Sequence, residues 1–163
     1  NTALRFKIRA KSLIMCASAR LTAADEVPRK MKSWRRAQTD ADRWEAHRHN
    51  LAEMMIAKSE CIDEMAVYLQ SCNAPRARIR TKDFIPRNSL IKALIGMQGV
   101  PIRNIWGEED GFYQAFVKSK SELIEGNKID LDVRTIANVS HWSPYEAYST
   151  VNKFLIEWFE AHD

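Results

Sequence analysis

Along the chain, apolar residues pass from a short continuous run to a spacing of three and four, then back to short runs. The first run, AKSLIMCASA (residues 10–19), ends in small residues and has the pattern of a parallel strand buried on both faces. After Pro28 the rhythm changes. From Asp40 to Cys72, the residues Trp44, His47, Leu51, Met54, Met55, Ile62, Met65, Leu69 and Cys72 recur at helical spacing, predicting a stripe carried by two helices. Such a Met-rich stripe is packing surface or the lining of an adaptable pocket. SCNAPRARIRTKDFIPRNS, with two prolines and many polar residues, reads as a connection. NSLIKALIGM predicts a short helix opened by an Asn or Ser cap and closed at Gly99.

The second half alternates more regularly. VPIRNIW predicts a second buried strand, with GEEDGF as the turn at its carboxyl end, and YQAFVKSKSELIEG a helix stopped by Gly126. IDLDVRTIAN predicts a third strand, ending in the loop VSHWS. Ser143 is then expected as an N-cap with Pro144 at the first helical position, and Glu146 in a first turn that favours a carboxylate. That helix should run through Tyr148, Val151, Leu155 and Phe159. Strand, helical insertion, strand, helix, strand, helix is the α/β order of a parallel sheet. Three strands make a thin sheet when all read as buried on both faces, and an edge strand should alternate more. The sheet is therefore expected to continue into another polypeptide.

Composition narrows the classes. At 163 residues, 45% hydrophobic and 28% charged, the chain has the size and balance of one globular domain. The net charge of +4 is mild. Basic residues gather in VPRKMKSWRR and APRARIRTKDF, but acidic residues intervene and aromatics are not interleaved. These runs read as solvated faces, the alternative being an anion or nucleic-acid site. Cys16, Cys61 and Cys72 are odd in number and lack CxxC spacing, which predicts reduced, buried structural thiols in a cytoplasmic protein. No apolar run approaches ~18 residues, so no membrane span is expected. A chain opening at Asn1 without Met is expected to be processed, truncated or one piece of a larger protein.

Two ionisable residues stand where chemistry collects in open α/β sheets, in loops beyond the carboxyl ends of strands. These are Asp110 and His141. A carboxylate there can accept the imidazole N–H, fix its tautomer and stabilise the imidazolium formed during proton transfer. Acid before histidine is the order of the triad Ser…Asp/Glu…His. Glu108 and Glu109 are neighbouring alternatives for the acid. His47 and His49, two residues apart, do not share a helix face, so no metal site is expected. No phosphate loop or dinucleotide fingerprint occurs.

The segments VPIRNIWGEEDGF and SHWSPYEAYSTVNKFLIEWF resemble the acid turn and the last catalytic loop and helix of α/β-hydrolases. The resemblance is to the meta-cleavage-product hydrolases and related esterases. It is carried by His141-Trp142, Tyr145-Glu146, Ala147 and Asn152, and HRHNLAEMMIAKSECIDEMA resembles the helical cap such enzymes insert between strands six and seven. It covers nearly the whole chain but only the carboxyl-terminal half of the family fold. The resemblance implies residues 1–27 as the strand-six region, 28–94 as cap and connection, and 95–163 as strands seven and eight with the final helices. It implies Asp110 as triad acid, His141 as general base, Trp142 beside the substrate, and Met54 and Met55 among the apolar residues shaping the pocket.

Two departures qualify it. No G-x-S-x-G occurs, none of the eleven serines sits in a strand-turn-helix context, and no glycine-rich oxyanion segment is present. The resemblance thus implies a two-chain enzyme, from one cleaved precursor or two genes, whose amino-terminal chain carries the serine. Thr2 is not the first residue and does not suit an N-terminal nucleophile. Second, the position that matches the cap arginine of the carbon–carbon bond hydrolases is Leu69, with Arg76, Arg78 and Arg80 downstream. This favours an ester or lactone with a small apolar carbonyl substrate over C–C cleavage, with no cofactor. A non-catalytic ligand-binding subunit on the same fold and a helical partner-binding module are the rivals.

Overall fold

A computed structural model of the chain describes residues 10–18, 30–77, 89–97, 99–120, 124, 126 and 129–162. Three parallel strands, β1 (Leu13–Cys16), β2 (Ile102–Gly107) and β3 (Leu131–Ile136), lie in the order β1-β2-β3. Parallel pairing requires a crossover between successive strands. The first contains helices α1 (Asp40–Met54), α2 (Glu64–Arg76) and α3 (Ser89–Ile95); the second contains α4 (Gly111–Lys120). After β3 come α5 (Ser143–Glu146) and α6 (Tyr148–His162).

Burial follows position in the sheet. Every residue of β2 is buried, whereas β1 and β3 are mostly half-buried. The expected ten-residue buried strand is thus a four-residue, half-buried one, because β1 pairs on one side only among the described residues. Ile102 and Trp106 of β2 join Ile91 and Leu94 of α3 and Phe116 of α4 in one core cluster. On the opposite face of the pleat stands Arg103. Its guanidinium meets Asp132 of β3 (Nε to Oδ2, 2.7 Å), donates to the Phe154 carbonyl of α6 at 2.9 Å, and lies 4.5 Å from the Trp158 ring centroid. A buried charge thereby ties α6 to the sheet.

The insertion between β1 and α3 has its own core of Leu51, Ile56, Ile62, Ala66 and Val67. Thr39 caps α1 by accepting the Asp42 N–H, and Asp63 caps α2 by accepting the Ala66 N–H at 2.8 Å. Starting α2 at Glu64 turns Ala66 and Val67 inward and leaves Met65 exposed, so the predicted methionine stripe is shifted in phase. The helix also runs through Arg76, into the stretch expected as a connection. Pro75 is tolerated in its last turn, where only one intrahelical bond is lost. Residues 78–88, including Arg78 and Arg80, and residues 1–9, including Thr2, lie outside the described residues. The expected continuation of α4 to Gly126 falls largely outside them as well.

The end of the chain differs from expectation too. Tyr145 and Glu146 both donate their N–H to the Trp142 carbonyl, so Trp142 is the N-cap and Ser143 is already inside α5. Ala147 then interrupts the helix. In α6 the buried residues are Val151 and Trp158, while Tyr148 and Phe159 are exposed, because the inward face is the one that meets Arg103. No helix among the described residues is long and apolar enough to cross a membrane.

Two measurements check this packing. Asp132→Ala strands the buried Arg103 charge and is expected to cost about 3 kcal/mol, with Arg103→Met costing markedly less, as read from urea midpoints. The second concerns His47, 1% exposed and stacked on Trp34 at 5.5 Å between centroids. Burial, and secondarily the Arg43 guanidinium, hold it below the usual histidine range. The unfolded chain therefore binds this proton more readily than the folded one. Its contribution is full above the ordinary histidine value of about 6.5 and is lost as pH falls below it. Replacing His47 by Phe should flatten the decline in stability between about pH 7 and 5.

Candidate active site

The carboxyl ends of β2 and β3 finish level, with Gly107 opposite Ile136. The two loops leaving them are stitched together by backbone: Glu108 N–H to Ile136 O at 3.1 Å and Glu109 N–H to Val139 O at 2.9 Å. Asn138, at φ 56°, reverses the chain after β3, a conformation asparagine tolerates better than most residues. Gly107 is packed against the carbonyls of Val139 and Ser140, and a Cβ there would collide with both. Only glycine lets the two loops approach this closely.

That approach brings the two sequence-predicted ionisable residues together. His141 Nδ1 lies 2.8 Å from Asp110 Oδ2. The other carboxylate oxygen accepts the Phe112 N–H at 2.8 Å, in the first turn of α4. Asp110 is 1% exposed, while the His141 side chain is 20% exposed. A carboxylate only accepts, so in the neutral imidazole Nδ1 carries the proton and Nε2 keeps its lone pair. The Phe112 ring lies 5.2 Å from that of His141 and limits its rotation. The arrangement can hold an imidazole in one tautomer, ready to take a proton at Nε2. Of the alternative acids, Glu108 accepts from Thr135 Oγ1 at 2.9 Å and Glu109 is exposed.

The remaining predicted residues are disposed around the insertion. Trp142 donates its N–H to Met55 O at 2.7 Å, and Trp142 and Met55 both pack against the insertion core. Met54 is half-buried and is not part of that packing. A cavity of about 290 Å³ lies elsewhere on the insertion, lined by Lys32, Ser33, Arg36, Ala37, Asp42, Glu45 and Ala46, and none of the predicted pocket residues borders it. Leu69 is half-buried on α2, and Arg76 is exposed in its last turn. Cys16, Cys61 and Cys72 are free thiols, half-buried rather than buried as expected. Burial pushes the Cys16 and Cys61 thiols up, keeping them protonated. His49 Nε2 meets the Lys30 carbonyl at 2.8 Å, apart from the buried His47. No metal-holding group of His, Cys, Asp or Glu occurs among the described residues.

Sequence reasoning missed Glu146. Expected as a helix-dipole partner and as part of the family pattern, but with no partners named, it is 6% exposed and accepts three backbone N–H groups. Oε1 takes those of Ala57 (2.9 Å) and Lys58 (2.7 Å) from the insertion, and Oε2 takes that of Ser140 (2.8 Å). Nothing local signals partners nearly ninety residues away. Tyr145 adds a bond from its hydroxyl to Asp63 Oδ1 at 2.6 Å. Burial, then this bond and the Asp63 charge, push the phenol up to about 12, while the same hydrogen bond holds the Asp63 carboxyl below its usual range.

Solved structures show the same architecture. The chain is similar to naproxen esterase (carboxylesterase NP) from Bacillus subtilis, with a TM-score of 0.58 and 16% identity over 96% of this chain and 54% of that one. It is also similar to a membrane phospholipase A described as a bacterial virulence factor, with a TM-score of 0.57 and 18% identity over 98% of this chain and 52% of that one. The fold is a partial α/β-hydrolase fold. The chain spans about half the length of these structures. No protein-family profile and no curated protein matches the sequence.

Gly107→Ala tests the contact between the two loops of this partial hydrolase fold. The added methyl is expected to cost about 3 kcal/mol, with amide shifts centred on residues 139–141 in a ¹H–¹⁵N spectrum.

Proposed function

We propose that the chain supplies the acid and the base of a serine hydrolase acting on small, largely apolar esters or lactones. The carrying observation is the 2.8 Å contact between buried Asp110 and His141 at the carboxyl ends of adjacent parallel strands. Likeness in fold to an esterase and a phospholipase supports hydrolysis as the class, and their greater length supports a missing half that bears the nucleophile. In this reading that half is an amino-terminal chain extending the sheet beyond β1.

His141 Nε2 would take the proton of the partner's serine as its oxygen attacks the carbonyl. The imidazolium, stabilised by Asp110, then passes the proton to the leaving alkoxide and an acyl-serine forms. A water deprotonated by His141 attacks the acyl carbon, and the proton returns to the serine as the acid leaves. No cofactor enters this sequence. Trp142, Met55 and Met54 would line the apolar side of the pocket, and Leu69 on the insertion helix supports ester or lactone cleavage over C–C cleavage, since it cannot grip a carboxylate.

The test is native mass with fluorophosphonate labelling of the protein purified from its source. The expected result is a second polypeptide that takes the label, with labelling abolished by His141→Ala and kcat lowered about 10⁴-fold by Asp110→Asn. A folded chain with no labelled partner would sink the hydrolase reading and favour a ligand-binding subunit.

A further inference from the structure

The residues on either side of His141 are both linked to the helical insertion, Trp142 directly and Ser140 through Glu146. Ser140 N–H, just before it, goes to Glu146 Oε2, while Oε1 of the same carboxylate holds the Ala57 and Lys58 N–H groups. Trp142 N–H, just after it, goes to the Met55 carbonyl. We infer that Glu146 is the positioning residue through which the insertion sets His141 against Asp110. The inference deepens the reading above and rests on it for the role of His141.

The physical argument is one of acceptor capacity. A buried carboxylate must be met by donors, and here among the described residues they are three backbone N–H groups rather than a cationic side chain. Two come from residues 57–58 and one from residue 140, so a single rigid group fixes the spacing between those segments. The imidazole is tied through Nδ1 to Asp110, whereas its neighbours in the chain are tied to residues 55–58, Trp142 directly and Ser140 by way of Glu146. The insertion thus does more than cover a pocket. Its turn after α1 sets where the base stands, and a displacement of that turn is passed to His141 through the Glu146 side chain and the Met55–Trp142 bond.

Glu146→Gln keeps the shape but puts an NH₂ group where only an acceptor fits, against either Ser140 or the Ala57–Lys58 pair. Lys58→Pro removes one donor at the insertion end alone, where φ −84° and ψ 116° suit proline, leaving the histidine loop untouched. The readout is the far-downfield Nδ1–H proton of the His141–Asp110 bond, observed by ¹H NMR on the chain itself. It is expected in the native chain, lost or exchange-broadened in Glu146→Gln, and shifted in Lys58→Pro, where the Ala57 N–H still holds Oε1, with β2 amides unchanged. An unmoved proton in Glu146→Gln would overturn the inference. So would loss in Glu146→Gln with an unshifted proton in Lys58→Pro, since halving the insertion's hold on Glu146 would then not reach His141. Absence of the proton in the native chain overturns it together with the Asp110 bond. Should Glu146→Gln unfold, Lys58→Pro decides alone.

The NMR readout needs no nucleophile. In a reconstituted enzyme Glu146→Gln should lower kcat about 10²-fold with KM little changed. A native chain showing the proton and its dependence on Glu146, but never any activity, would sink the hydrolase reading and leave the positioning role standing.

Discussion

The absence of a side chain at residue 107 is the constraint on which the site depends. Gly107 ends the central strand directly against the carbonyls of Val139 and Ser140, and this proximity lets two loops share backbone hydrogen bonds. The acid and the histidine belong to different strand ends, thirty-one residues apart. They meet because the strands are neighbours in register and nothing intrudes between their exits. The pairing is thus a property of the sheet before it is a property of either residue.

The surroundings of the pair divide the work. The sheet side supplies a carboxylate sealed from water, whose second oxygen is held by the Phe112 N–H. The insertion side supplies packing for Trp142 and Tyr145 and donors for Glu146. The histidine sits at the seam, more exposed than its partner. In the proposed reading, a rigid carboxylate beside an imidazole held by another unit suits proton transfer, where the imidazole must stay oriented while Nε2 meets a reactant.

Much of this was legible from the amino-acid sequence where the signal is local. Strand runs, the two insertion helices and the acid and histidine at strand exits all show in short windows, and short strands flanked by helices confine functional groups to one edge. What was not legible depended on distant partners. Glu146 reads as an ordinary first-turn glutamate because its donors at Ala57 and Lys58 are far along the chain. The inward face of α2 was misjudged for a related reason: an Asp63 cap sets its phase. Arg103 lies in an apolar run that periodicity alone cannot distinguish from uncharged core.

The side of β1 away from β2, which pairs with no strand among the described residues, carries a liability as well as an opportunity. Leu13, Ile14, Met15 and Cys16 offer it no charge, no proline and no bulge, the devices by which sheet edges ordinarily discourage other strands. Unpaired backbone groups flanked by apolar side chains are a template for any extended peptide of suitable sequence. Wherever this chain stands without a strand beside β1, that edge favours self-association into strand-paired oligomers, and the conditions of its synthesis bear on whether it stays soluble.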